Sequence, residues 1–433
     1  MKQLSRRRFV EASTIGSALA LSGPAFAGAA PAGDATTRAV AQDGPIEIVF
    51  SHVWGTPPGG EAPAEKHPVD QLIDAFNAQS TDVKVISRTD SGVYYEVLQK
   101  AQAELAAGNP PAMVSTPWAN IHYADEGLGI INLEDIAGDE LDEVFGNLKE
   151  NVIPLVQVDG KTKGVPFSFS CPVVYYNADI LKEAGVAPED LFATWDSFAA
   201  EAPKVQEVLG GNPVFGVAVN YDWPAQSIIQ SNGGAVLTDD NEPVMDSPEA
   251  IEALKTIADL ETAGLYDTST IKETRASFLA GSTACLIASI SSLFGIKTSA
   301  TFDLKTAPFP TFGDKPRQMS SGGSFIGIYA RDEDQQQAAW EFIKYALSEE
   351  GYSIWMKSGY LNASNFEVPV VEGQEAAYIQ LEEGLTAETA WPGSRGGELQ
   401  AIWGDYVSRI WANDISAEEG TQQAVDELGR IIG

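Results

Sequence analysis

The sequence predicts an α/β protein built in two halves, and three observations carry that expectation. From residue 46 onward, apolar runs of strand length alternate with helical patterns; the alternation starts afresh after Pro172; and 433 residues that are 44% hydrophobic exceed what one small core needs.

The opening half reads βαβαβ. Ile46 to Phe50 is a short β-rich run, and Val69, Leu72, Ile73 and Phe76 then fall at i, i+3, i+4 and i+7, which predicts a helix over Pro68 to Gln79. Val83 to Ser87 is the next strand, Tyr94 to Ala107 the next helix, stopped by Gly108-Asn109-Pro110, and Ala112 to Ser115 the third strand. Such an order implies a parallel sheet with right-handed crossovers, whose ligands sit beyond the carboxyl ends of the strands. Loops after Phe50, Ser87 and Ser115 are therefore the first places to look.

In the second half, Val173 to Tyr176, Val214 to Val219 and Ala284 to Ile290 read as strands. Ala178 to Ala184, Trp195 to Leu209, Pro248 to Ala263 and Arg275 to Ala280 read as helices. Phe325 to Tyr329 adds a strand. Asp334 to Leu347 is an amphipathic helix with Ala339, Phe342, Ile343 and Ala346 on one face, and Leu399 to Trp411 and Ala417 to Ile432 close the chain as helices.

Residues 1–27 read as an export signal: Lys2, Arg6, Arg7 and Arg8, a weakly apolar stretch from Ile15 to Leu21, and Ala25-Phe26-Ala27 as a cleavage site. The run Ser5-Arg6-Arg7-Arg8-Phe9-Val10 resembles the twin-arginine signal, which carries folded proteins across the bacterial inner membrane. Residues 28–44 read as a flexible leader. The mature protein is expected to be soluble in the periplasm or outside the cell. The chain carries a formal net charge of −34, and cleavage removes four basic residues and only one acid. An acidic excess without basic clusters excludes nucleic acid and anionic membranes as partners. Cys171 and Cys285 are the only cysteines, and the sequence leaves open whether they form a disulfide or two buried thiols.

Catalytic signatures are missing. Three histidines, with no HExxH or CxxC spacing, exclude the usual transition-metal sites, and no GxSxG, GxxxxGK[ST] or GxGxxG motif occurs. No cofactor is expected. Acid pairs such as Glu134/Asp135 and Glu382/Glu383 leave a secreted glycoside hydrolase as the alternative function. What remains is a set of aromatic, hydroxyl and glycine positions at predicted strand ends. Aromatic faces pack on the C–H face of a sugar while hydroxyls and amides satisfy its oxygens, so the set predicts a small-molecule cleft.

The order of motifs then resembles a known family. The segment Gly164-Val165-Pro166-Phe167-Ser168-Phe169-Ser170-Cys171-Pro172-Val173-Val174-Tyr175-Tyr176-Asn177 is its most specific piece, followed by Thr194-Trp195-Asp196-Ser197-Phe198. Phe278-Leu279-Ala280-Gly281, the Gly322-Gly323-Ser324 turn, Ala338-Ala339-Trp340-Glu341-Phe342-Ile343 and Ser358-Gly359-Tyr360-Leu361 come after it in order. Together they resemble the extracellular solute-binding proteins of carbohydrate ABC importers, within them the glycerol-3-phosphate-binding branch, along nearly the whole mature chain. That resemblance implies a two-lobe periplasmic-binding-protein fold of type II, with hinge crossovers and a ligand cleft between the lobes. Lobe one is expected over 45–168 plus 290–330, and lobe two over 169–289 plus 331–433. It further implies a monomer that captures a sugar, glycoside, polyol or glycerol-phosphate-like solute without chemistry and delivers it to permease subunits. A sensor that hands its ligand to a signalling receptor would look the same.

Residues matching the branch's ligand-contacting positions are Tyr95, Ser170, Ser289, Gly323 and Tyr360; loop position adds His52, Trp54, Trp118 and Trp223. Two departures concern the ligand: Trp118 stands where the branch has an acidic residue for the glycerol hydroxyls, and Gln400 where it has an arginine for the phosphate. Arg395, with the amides of Gly322-Gly323, is the available substitute for an anion.

Overall fold

In a computed structural model, residues 44–55 and 65–433 are described; the export-signal and leader readings lie outside them. Every strand and helix expected from the periodicity is present among these residues, with ends shifted by a few positions. Local chemistry explains several starts. Thr194 and Ser197 form a reciprocal capping box at Trp195–Val208, and Ser247 caps Pro248–Thr262, whose first position is proline.

Two five-stranded sheets organise the fold. In sheet one, Ile46–His52 lies between Val83–Thr89 and Met113–Pro117 and runs parallel to both, as the βαβαβ pattern requires. The sheet is nevertheless mixed. Gly322–Ile328 is inserted antiparallel between Met113–Pro117 and Val165–Ser170, far from both in sequence. In sheet two, Cys285–Ser289 runs parallel to Phe215–Val217 and antiparallel to Pro172–Asn177, with Leu304–Ala307 and Tyr266–Asp267 at the edges.

The chain distributes itself between the sheets differently from the expected lobe boundaries. Leu304–Ala307, expected in lobe one, pairs with Pro172–Asn177 in sheet two. Helix Glu333–Ala346, expected in lobe two, lies on sheet one, where Phe342 contacts Phe50 and Phe76 at ring separations of 6.0 and 5.3 Å. The apolar stripe of this helix suits either sheet, and only the long-range pairing of Gly322–Ile328 decides which one it meets. The backbone therefore passes between the sheets at Cys171, over 308–321 and over 356–374.

Both cysteines are free and fully buried. Cys285 is paired with Tyr176, whereas the Cys171 carbonyl accepts from Ile290 N, at the other end of the same strand pair. Five residues of strand separate them, roughly 17 Å, well beyond the reach of a disulfide. Burial pushes the Cys171 thiol up to about 12, and Cys285 higher still. Reductant should leave the melting temperature unchanged, and a thiol reagent should titrate two groups only after denaturation. Labelling of either thiol in the native protein would contradict this packing.

Candidate functional site

The carboxyl ends of the parallel strands of sheet one release three loops on one side. Strand Ile46–His52 leads to Trp54, Val83–Thr89 to Tyr94 and Tyr95, and Met113–Pro117 to the turn Trp118–Asn120. Gly322 and Gly323 reach the same place because they pair with Ser170 and Phe169 at the end of Val165–Ser170. From sheet two come Ser289, at the end of its strand, and helix Asp222–Ser231, which begins just after Val217. Trp223 bridges the two sets. A Cβ on Gly322 would sit 2.0 Å from its Cζ2, so the indole lies directly on the glycine, and its Nε1 donates to Ser320 O at 3.1 Å.

A cluster of rings backs this surface. Trp355 stacks on Phe167 at 4.2 Å and on Tyr360 at 5.1 Å, and Trp54 meets Trp355 edge-on at 4.9 Å. Trp54 Nε1 donates to the Tyr360 hydroxyl at 2.9 Å. The ring edges and N–H thus hold Tyr360 in place, and Gln374 Nε2, donating to the carbonyls of Gly359 and Tyr360, holds its backbone. Tyr94 donates to Ser324 Oγ at 3.2 Å, and Ser324 Oγ lies 2.9 Å from Ser168 Oγ. Replacing Trp54 by Phe removes the bond to Tyr360 together with part of a buried ring, so denaturant melts should show a loss of at least about 1–2 kcal/mol. An unchanged midpoint would mean that the bond carries nothing.

The expected site residues separate into groups. Trp118, Trp223, Ser170, Ser289, Gly323 and Tyr360 come together at these strand ends; Ser289 also caps the turn Ile290–Ser292. Tyr95 stands at the rim, 50% exposed, near the start of helix Gly396–Trp411: a Cβ on Gly397 would meet its ring at 3.7 Å and Asn120 Nδ2 at 3.8 Å. His52 is not at the surface at all. It is 0% exposed in the core of sheet one, its Nε2 3.0 Å from Ser87 Oγ, and burial holds its imidazole down to about 3. Trp54 is a support under Tyr360 rather than a wall. Arg395 is exposed and bound by two bonds to Glu398, at 2.7 and 2.6 Å, while Gln400 donates to Asp222 Oδ2 at 2.8 Å.

Three further residues stand beside them: Asp222, which adjoins Trp223 in sequence, Glu388 and Gln226. Asp222 is 2% exposed, and burial raises its carboxyl to about 7. Glu388 is 9% exposed and raised further, first by burial and then by the neighbouring Asp222 charge. Only Asp222 had a local signal, its place beside Trp223. A groove of about 520 Å³ elsewhere, lined by Lys297, Lys305, Glu372 and Ile379, lies at the end of sheet two opposite Ser289, and its lysines pair with Glu372 and Asp303. It shares no residue with the strand-end cluster.

Comparison with known proteins adds four findings. The model of the bacterial extracellular solute-binding proteins matches residues 71–374. The sn-glycerol-3-phosphate-binding periplasmic protein UgpB of Escherichia coli K12 is 26% identical over an alignment of 406 positions, covering 84% of this chain and 89% of that one. Among solved structures, UgpB from Mycobacterium tuberculosis in complex with glycerophosphocholine superposes with a TM-score of 0.75 at 22% identity, covering 90% of this chain and 98% of that one. The substrate-binding protein Lmo0181 from Listeria monocytogenes in complex with cycloalternan gives 0.77 at 20% identity, covering 90% and 99%.

Proposed function

Because the chain belongs to the bacterial extracellular solute-binding proteins, a family of non-catalytic receptors, we propose that it is the ligand-capturing component of an ABC importer for a small carbohydrate- or polyol-type solute. One observation carries the reading: aromatic and hydroxyl side chains from the strand ends of two separate sheets meet at one place, with Trp223 reaching across to Gly322. Tyr95, Trp118, Ser170, Trp223, Ser289, Gly323 and Tyr360 form the ligand wall. The lobes built on the two sheets close over the solute by bending at the three crossings, and the closed form is what the permease meets. The family assignment sets aside the glycoside-hydrolase alternative.

Export through the twin-arginine route, with cleavage after Ala27, belongs to the same reading. No helix among the described residues is long and apolar enough to cross a membrane. A ligand that binds only the folded protein stabilises it by about 2.7 kcal/mol at a hundred times its dissociation constant, which is several degrees in melting temperature. Thermal melts with ribitol, maltose and glycerol 3-phosphate at millimolar concentration should therefore include at least one clear upward shift. Uniformly flat melts across such a panel would sink the proposal.

A further inference from the structure

Resting on the receptor reading, a further step concerns what sets the angle between the lobes. Strands Pro172–Asn177 and Leu304–Ala307 pair antiparallel from Asn177 opposite Leu304 to Val174 opposite Ala307. Continued two residues further, this register would set Phe309 opposite Pro172. Ladder bonds fall on alternate pairs, and the bond from Ala178 N to Asp303 O at 2.9 Å puts Phe309 and Pro172 among the pairs that should carry one. That bond is not made directly. The amide head of Gln380 lies in its place: Oε1 accepts from Phe309 N at 2.7 Å, and Nε2 donates to Pro172 O at 2.9 Å and to Cys171 Sγ at 3.4 Å. Pro172 has no N–H to return a second bond, so the ladder is weakest at this pair.

Pro172 follows the first crossing at Cys171, and Phe309 lies at the start of the second, over 308–321. Gln380 is thus a spacer inserted where these two crossings leave sheet two. An amide carries an acceptor and a donor on one head, so a side chain that is 0% exposed satisfies Phe309 N and Pro172 O together. Its helix, Glu375–Glu383, is rooted in the third crossing. Gln374, just before the helix, donates to the carbonyls of Gly359 and Tyr360 and accepts from Val371 N, and the Tyr378 hydroxyl accepts from Asn362 N at 3.3 Å. One helix of nine residues therefore holds all three crossings, and Gln380 is the side chain that joins the first to the second. Without its amide, the two strands would either leave a buried N–H and C=O unpaired or draw together to bond directly, and in both cases the crossings would leave sheet two at a different angle.

We propose that Gln380 is a positioning residue of the hinge: it couples the first two crossings so that they bend together, and thereby sets the resting angle of the lobes and the rate at which a held solute is released. Nitroxides on Ala78→Cys and Ala200→Cys, exposed positions on helix Pro68–Gln79 beside sheet one and helix Trp195–Val208 beside sheet two, report that angle without any ligand, since the native thiols are buried. In double electron–electron resonance, Gln380→Leu, which keeps the bulk and loses the amide, should shift or broaden the ligand-free distance distribution. In stopped-flow measurements, release of whichever of ribitol, maltose and glycerol 3-phosphate the wild type binds should quicken about 10-fold, with association changed by less than about 3-fold. Solutes of different chemistry should be affected by one common factor, which loss of a wall contact would not produce. Gln380→Glu separates the bonds from the packing: at pH 5 the protonated acid accepts from Phe309 N and donates to Pro172 O and should match the wild type, whereas at pH 9 the carboxylate has no donor and should behave as Gln380→Leu does. A ligand-free distribution identical to the wild type's in Gln380→Leu, or in Gln380→Glu at pH 9 where the leucine variant does not fold, would overturn the spacer role and leave the receptor reading standing. Failure of the wild type to bind any of the three solutes would count against the receptor reading, while the ligand-free distances still decide for or against the spacer.

Discussion

Gly323→Ala should lower stability by more than about 3 kcal/mol, visible as a shift of the thermal midpoint by several degrees or more. Gly323 has φ +118, a conformation L side chains rarely adopt, and a Cβ there would lie 2.1 Å from Ser168 O. The obstruction is backbone, not the tip of a flexible side chain. Relief would require parting Gly322–Ile328 from Val165–Ser170 where these two strands reach the first crossing into sheet two. Gly429→Ala is the fitting control, because it lies in helix Ala417–Ile432 with nothing within 4 Å of the added methyl, and there the change should be neutral or slightly stabilising. A Gly323→Ala melt within about 1 kcal/mol of wild type would show that the strand end yields easily and does not fix the cleft.

The second large effect is on the pH dependence of stability. Asp222 is raised to about 7 and Glu388 upward, in both cases chiefly by burial. The folded pair thus holds protons between about pH 4 and 7 that the unfolded chain has released. More protons on the folded state means that stability falls as pH rises through this window. His52 and His67, held down to about 3 and about 4 by burial, act in the opposite sense, since the unfolded chain takes up protons there as pH falls below about 6.5. The difference between wild type and Asp222→Asn/Glu388→Gln isolates the carboxyls. Relative to the double variant, the wild type should gain about 1–3 kcal/mol between pH 7 and pH 5 in denaturant titrations. Parallel curves for the two proteins would mean that the carboxyls are ionised and solvated in the native state.

What the sequence could disclose follows from how local each signal is. Helices with one apolar stripe, such as Pro68–Gln79 and Glu333–Ala346, announce themselves through their period. Asp222–Ser231 does not: Asp222 through Ile229 are all buried, so no stripe exists to be seen, and the helix carrying Trp223 and Gln226 passed unread. Leu304–Ala307 is a four-residue edge strand with one buried residue, too short for alternation to register, and its sheet is set by pairing alone. The aromatic residues proposed for the cleft were locatable because they follow strand ends, which the βαβ pattern places. His52 shares that position yet ends its strand turned into the core, and strand position alone does not distinguish the two outcomes. Glu388 is one carboxylate among many. Nothing in its own segment reveals that Asp222 and the Trp118–Asn120 turn will enclose it.

The late arrival of Gly322–Ile328 also bears on how the protein is made. Met113–Pro117 and Val165–Ser170 border no partner in common until residues 322–328 have emerged from the ribosome, so for much of synthesis each presents a bare edge. Such long-range closure is slow and leaves nascent chains prone to mispairing. A chain cut short before residue 322 would keep sheet one open and be a substrate for chaperones and proteases, whereas only a complete chain closes it. The order of strands thus acts as a check on completeness of the chain.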